Sequence, residues 1–269
     1  MTDSKESTEF AAPVWKNPRS VLITGASGGI GAALAESYAE PGRTLVLHGR
    51  DATRLESIAQ TCKARGAHVL TLTFDVREFD VAIEELRSMS EHERIDLAIV
   101  NAGITQAIGG GEVFESFGTA REVLAVNLEG ALATVAGVLP EMIRRGSGQI
   151  ALVSSLAAYV GLPRTPAYSA SKAALKSYGE SLRLRLASRG VAVNVVLPGF
   201  VKTAMTDRVK GPKPAIIAPE RAAALIRRGL ERNRGQIAFP RRLAWGLRWL
   251  AVLPQPVSER ILRVLGFGR

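Results

Sequence analysis

Val21-Leu22-Ile23-Thr24-Gly25-Ala26-Ser27-Gly28-Gly29-Ile30-Gly31 joins a short apolar run to a helical pattern that continues to Tyr38. A strand that passes through a glycine-rich turn straight into a helix is the opening unit of a nucleotide-binding α/β sheet. Small residues are needed because the backbone must turn tightly and approach a pyrophosphate, whose charge the free N–H groups at the helix start stabilise. The spacing is Gly-x-x-x-Gly-x-Gly rather than G-x-G-x-x-G, and an ordinary strand-to-helix turn can also be glycine-rich. Its place in the first strand-turn-helix unit favours the dinucleotide.

Outward from this unit, short β-rich runs alternate with helical patterns along the chain, the sequence form of a parallel sheet covered by helices on both faces. Strands are expected near Val21–Thr24, Leu45–His48, Val69–Thr73, Leu97–Val100, Gln149–Val153, Val191–Leu197 and Gln236–Phe239. The clearest helices are Gly29–Tyr38, Arg54–Ala64, Ala120–Arg145 and Ala167–Ser188, the last stopped by Gly190. The expected fold is a Rossmann-type α/β sheet of seven mostly parallel, doubly wound strands over residues 20–240. A polar arm (1–19) precedes it and a basic, helical C-terminal extension (241–269) follows.

Composition agrees with a globular chain: of 269 residues, 46% are hydrophobic and 22% charged. Cys62 is the only cysteine, which excludes an intrachain disulfide, and His48, His68 and His92 lack ligand spacing, so no metal site is expected. Residues 1–19 lack the apolar core of a signal peptide, and no uninterrupted apolar run reaches the length of a membrane span. A cytoplasmic location is therefore expected. The net charge of +10 is uneven: residues 1–203 hold 21 basic and 21 acidic side chains, residues 204–269 hold 14 and 4.

The second strand ends at His48-Gly49-Arg50, where a dinucleotide's adenosine ribose lies in such a fold. An arginine there pairs with a 2′-phosphate, which favours NADP(H) over NAD(H); the alternative is a solvated loop cation offset by Asp51. Asp75-Val76 and Asn101-Ala102-Gly103 follow the third and fourth strands, at the sheet edge where ligands bind. Tyr168-Ser-Ala-Ser-Lys172 puts a phenol and an ammonium at i and i+4 on one helix face. A neighbouring ammonium favours the ionised phenol and makes the pair a tuned proton donor and acceptor. Ser155, after the fifth strand, is placed to hydrogen-bond a substrate carbonyl.

Thr24-Gly25-x-x-x-Gly29-x-Gly31, Asn101-Ala102-Gly103, Asn127, Ser155, Tyr168-x-x-x-Lys172 and Pro198-Gly199 occur in the order and spacing of the short-chain dehydrogenase/reductase family. The chain resembles its compact class over Ser20 to about Phe239, departing at Val100, where many members carry another Asn. The resemblance implies an alcohol–carbonyl oxidoreductase with Tyr168 as general acid or base. Lys172 lowers the Tyr168 pKa and binds the nicotinamide ribose, Ser155 polarises the carbonyl, and Asn127 holds a proton-relaying water. It also implies that Pro198, Gly199, Val201 and Thr203 border the nicotinamide, with Ser27 and Ile30 in the phosphate turn, and that the protein is a homodimer or homotetramer.

Between Thr203 and Pro219 the chain is rich in Lys and Pro, as a lid would be, and Met205, Val209, Ile216 and Ile217 with Ile104, Leu156, Tyr159 and Leu162 outline a partly apolar, lipophilic pocket. Arg241-Arg-Leu-Ala-Trp245-Gly-Leu-Arg-Trp249-Leu-Ala-Val-Leu253 mixes cations with bulky apolar residues, and Pro254 and Pro256 separate it from Ile261–Phe267. It either lies on a membrane as a peripheral contact, packs at a subunit interface or covers the substrate pocket. A non-catalytic, dinucleotide-binding sensor or scaffold is the rival function. No nucleic-acid module is present, and no nucleic-acid partner is expected.

Overall fold

The computed structural model describes residues 16–108, 113–208 and 211–265. Residues 1–15 of the arm, Val209 of the expected pocket and Phe267 of the tail lie outside the described residues. Seven strands, β1 (Ser20–Thr24), β2 (Thr44–His48), β3 (His68–Leu72), β4 (Leu97–Val100), β5 (Gly148–Val153), β6 (Val191–Pro198) and β7 (Gln236–Phe239), form one sheet in the order β3-β2-β1-β4-β5-β6-β7. Every pairing is parallel, β7 included. The helices are α1 (Gly29–Tyr38), α2 (Ala52–Ala64), α3 (Phe79–His92), α4 (Phe117–Leu124), α5 (Gly130–Arg144), α6 (Pro166–Leu186), α7 (Ala204–Asp207), α8 (Pro219–Glu231), α9 (Arg241–Leu250) and α10 (Gln255–Val264).

Alternation along each strand divides the core between two faces. Val21 and Ile23 of β1 pack with Leu34, Ala35, Leu55 and Ile226 from α1, α2 and α8. Leu22, between them, points to the opposite layer, where Leu86, Val138 and Leu175 from α3, α5 and α6 meet it. Because helices cover both faces, central strands read as unbroken apolar runs, and all eight residues of β6 are buried.

Three local features differ from the sequence reading. The run taken as one helix from Ala120 to Arg145 contains a π-helical turn, Ala125–Glu129, between α4 and α5. The span Phe117–Arg144 is apolar and long enough to cross a bilayer by length and composition, yet Val123, Val126, Val135, Val138 and Met142 are buried in the core, so it is an interior helix. The segment after Thr203 is less irregular than a free lid, since it forms α7, capped by the Thr203 hydroxyl, and Ile217 makes a parallel bridge to Val201. Pro256 does not interrupt the tail. It sits in the first turn of α10, where a missing N–H costs nothing.

The glycine turn is shaped by contact. Gly25 has φ +69°, and a Cβ on Gly31 would lie 2.1 Å from the Gly25 carbonyl oxygen. Gly31→Ala is therefore expected to force the turn and α1 apart and to cost about 1–3 kcal/mol, as overpacking does. Calorimetry on the variant should show a lowered Tm, and an unchanged Tm would contradict the close approach.

Candidate active site

Between β1 and β4 the strand order reverses, and the carboxyl ends of the strands leave a crevice there. Its floor is pinned by two residues. The Thr24 hydroxyl accepts from the backbone N–H groups of Asn101 (3.0 Å) and Ala102 (3.1 Å), while the Asn101 Nδ2 donates to the carbonyls of Thr24 (3.0 Å) and Gly25 (3.3 Å). Thr24 is fully buried and its hydroxyl is occupied, so its contribution is to hold the turn beneath a ligand.

A cleft of about 560 Å³ opens above this floor, lined by Gly25, Ser27, Gly29, Ile30, Arg50, Asp75, Val76, Ala102 and Gly103. It fits a dinucleotide on three counts. Gly25 and Gly31 let the backbone approach closely, no side chain caps the amide end of α1, and the far end carries arginines. Arg50 is half exposed and lies 3.5 Å from Asp75, whose carboxyl the Arg77 hydrogen bond holds down to about 2. Arg54 lines the same cleft and reaches over the turn, its guanidinium 2.6 Å from where a Gly28 Cβ would be. The sequence reading missed Arg54. Its signal was available: Asp51 accepts the Arg54 N–H as N-cap of α2, which fixes Arg54 one turn beyond Arg50.

Asn101, Gly103, Ile30, Pro198, Gly199, Val201 and Thr203 join Ser155, Tyr168 and Lys172 around a smaller pocket of about 100 Å³. Val201 is packed into the core, and the Thr203 hydroxyl accepts from the Thr206 N–H as the cap of α7 while its methyl faces Gly29. Asn127 lies in the π-helical turn, fully buried, with its side chain committed: Oδ1 accepts from the Ile104 N–H (2.7 Å), and Nδ2 donates to the Ile104 carbonyl (2.9 Å) and to Ser171 Oγ (3.1 Å).

Pro166 starts α6 at a position that needs no N–H, and Tyr168 and Lys172 follow on its inward face. Lys172 is buried and donates from Nζ to the Val153 carbonyl at 2.9 Å; burial lowers its pKa to about 8. Its Nζ stands 5.8 Å from the Tyr168 ring centroid. Burial pushes the Tyr168 phenol up, and a hydrogen bond with Ser155 opposes that. The direction differs from the sequence expectation, because desolvation outweighs the Ser155 hydrogen bond and the phenol keeps its proton. Ser155 Oγ also accepts from the Ala157 N–H (3.1 Å) and lies 3.4 Å from the Pro198 carbonyl, so its hydroxyl is oriented by β6 and the turn after β5.

On the other side of Ser155 and Tyr168 lies a cavity of about 320 Å³. Leu156, Leu162 and Met205 line it as expected, and Leu243, Leu247 and Leu262 of α9 and α10 roof it, so the tail's inner face covers this cavity. Ile104, Tyr159, Ile216 and Ile217 are not in its wall. Ile104 borders the cofactor-sized cleft, Tyr159 binds Gln236, Ile217 packs on the core below β6, and Ile216 is exposed.

The short chain dehydrogenase profile matches residues 19–213. The chain belongs to the short-chain dehydrogenase family. A Myxococcus xanthus protein described as an uncharacterized oxidoreductase is 35% identical over 248 residues, covering 92% of this chain and 97% of its own. An Arabidopsis thaliana 11-beta-hydroxysteroid dehydrogenase is 38% identical across 70% of this chain and 53% of its own. Among solved structures, a short-chain dehydrogenase of Sphingobium yanoikuyae in complex with NADPH superposes with a TM-score of 0.76 at 28% identity, covering 91% of this chain and 95% of that one.

The buried Lys172 has a consequence for stability. With its pKa lowered to about 8 from 10.5, the unfolded chain holds a proton through that window that the folded chain has lost, so this group makes stability rise with pH from 8 toward 10.5. The Tm of the protein minus that of Lys172→Met should therefore increase across the window. A difference independent of pH would contradict the buried environment.

Proposed function

We propose that this oxidoreductase prefers NADP(H) and interconverts an alcohol and an uncharged, lipophilic ketone or aldehyde. One observation carries the reading: Ser155 and Tyr168 border both the small pocket beside Lys172 and the apolar cavity, so a carbonyl held in the cavity meets two hydroxyl donors at its polar end. In this reading the Gly25–Gly31 turn and the amide end of α1 hold the pyrophosphate, and Arg50 with Arg54 pairs with a 2′-phosphate. The arginines, together with a similar protein solved with NADPH, support the preference. When bound, the nicotinamide supplies or accepts the hydride.

The chain's own groups handle the proton and the developing charge. Tyr168, protonated because it is buried, donates from its hydroxyl to the substrate oxygen during reduction and recovers the proton during oxidation. Ser155 donates a hydrogen bond to the same oxygen and stabilises charge there as the carbonyl is reduced. Lys172, fixed on the Val153 carbonyl, places its amine where it stabilises the phenolate once Tyr168 has given up its proton. With its side chain already committed, Asn127 serves as a positioning residue that ties the Gly103–Ile104 backbone to Ser171 of α6, rather than as a water ligand through its amide.

The same proposal places the protein in the cytoplasm, where the buried Cys62 stays reduced, and gives it a homodimeric or homotetrameric state in which exposed Phe117 on α4 and Leu184 on α6 are buried. Tyr168→Phe should retain NADPH binding and lose about 10²–10⁴ in carbonyl-dependent NADPH oxidation. Turnover equal to that of the parent would overturn the assignment, and NADPH binding without turnover of any carbonyl by the parent would favour the sensor reading. Arg50→Asp should weaken NADPH more than NADH in fluorescence titrations, whereas an unchanged affinity ratio would reject the role of Arg50.

A further inference from the structure

The inner face of α9 and α10 is accounted for by the cavity, but their outer face is not. Trp245 and Trp249, one turn apart on α9, are 59% and 63% exposed, and Val252 after α9 and Val257, Val264 and Leu265 in and after α10 are exposed as well. Two indoles left in water on one helix face form an unusual monomer surface. Arg241 and Arg242 flank them at the start of α9 and Arg260 stands on α10; among the described residues these three form no ion pair. Glu259, the only acidic residue of the two helices, is spent on Arg263 at 3.7 Å. From Arg241 onward the chain holds 6 basic and 1 acidic side chains, half of its excess positive charge.

Exposed indole rings beside unpaired guanidinium groups on the same helices suit the boundary between lipid headgroups and acyl chains, where the ring is amphipathic and the cation meets phosphate. A second copy of the chain suits it less. In an isologous contact this patch would meet itself, and neither helix offers a free carboxylate to receive the arginines, since Glu259 is paired with Arg263. We infer that the outer face of α9 and α10, centred on Trp245 and Trp249 and rimmed by Arg241, Arg242 and Arg260, docks on an anionic lipid surface. Leu265 both lines the 320 Å³ cavity and is 55% exposed, so the cavity wall runs out to this surface. If the cavity takes the substrate as proposed above, a membrane-dissolved carbonyl compound reaches Ser155 and Tyr168 without crossing bulk water.

The docking is tested without reference to turnover, so its failure is separate from failure of the catalytic reading. The full chain is sedimented with vesicles of phosphatidylcholine, alone or with about one-third phosphatidylglycerol, at low and raised salt. The expected result is pelleting with the anionic vesicles that declines as salt rises. Arg241→Gln with Arg242→Gln should weaken vesicle affinity about fivefold for each charge removed. Trp245→Ala with Trp249→Ala should abolish pelleting while leaving the circular-dichroism melting curve unchanged, since neither indole is in the core. Two results overturn the inference: a parent chain that stays in the supernatant with both vesicles, or a tryptophan double variant that pellets like the parent; in the first case, a light-scattering mass that falls when the tryptophans are removed would assign the face to self-association.

Discussion

The close approach of β1 to β4, locked by Thr24 and Asn101, is the constraint on which the remaining geometry rests. Four hydrogen bonds fasten the two strand ends at the point where the sheet order reverses. The fastening leaves room only for glycine at Gly25 and Gly31. It also fixes the start of the Asn101–Ile104 segment, whose far end Asn127 grips at both the N–H and the carbonyl of Ile104. Through Ser171, Asn127 continues the connection to α6, the helix that carries Tyr168 and Lys172. A single hydrogen-bonded series thus runs from the phosphate-sized turn to the proposed proton donor, with Gly103 between Asn127 and Lys172 at distances that a Cβ would crowd.

Burial then sets the chemistry at the end of that series. Tyr168 and Lys172 are both withdrawn from water, and desolvation favours the neutral form of each, so the phenol is pushed up while the amine falls to about 8. The two values are drawn toward one another, which suits a pair that must exchange the stabilisation of one proton. Ser155, held on the Ala157 N–H, gives the polar end of an otherwise apolar cavity its second donor. Because α9 and α10 form the roof, the part of the chain beyond the residues matched by the family profile shapes the space that a substrate would fill.

Much of this was legible in the sequence, for identifiable reasons. All seven strands were readable because parallel strands buried on both faces are short, aliphatic and bounded by turn residues, and the glycine turn was readable because it sits between strand and helix. The π-helical turn at Asn127 left no trace, since one extra residue in a helical turn hardly changes the spacing of apolar side chains. Arg54 was overlooked because its place over Gly28 depends on how α2 is capped and aimed, which periodicity does not report. Tyr159 resembled a pocket residue but is drawn to Gln236, with Lys176 and Arg248 over its ring, all contacts between distant segments. The direction of the Tyr168 shift was likewise beyond reach, because a neighbouring lysine is visible in sequence and the burial of the phenol is not. The tail's two-sidedness lay in its pattern, but which side met the cavity depended on the position of β7 at the sheet edge, where α9 begins.

The central claim is that the cleft above the glycine turn and the apolar cavity meet at Ser155 and Tyr168 for transfer to a lipophilic carbonyl. Incubating the protein with NADPH deuterated at the transferring carbon and a panel of uncharged, bulky ketones, then weighing the alcohol products by mass spectrometry, tests it most directly. The account predicts one deuterium on the carbinol carbon of at least one bulky product, with small hydrophilic ketones left unreduced. Label delivered only to small hydrophilic ketones, or to no ketone by a protein that binds NADPH, would contradict it.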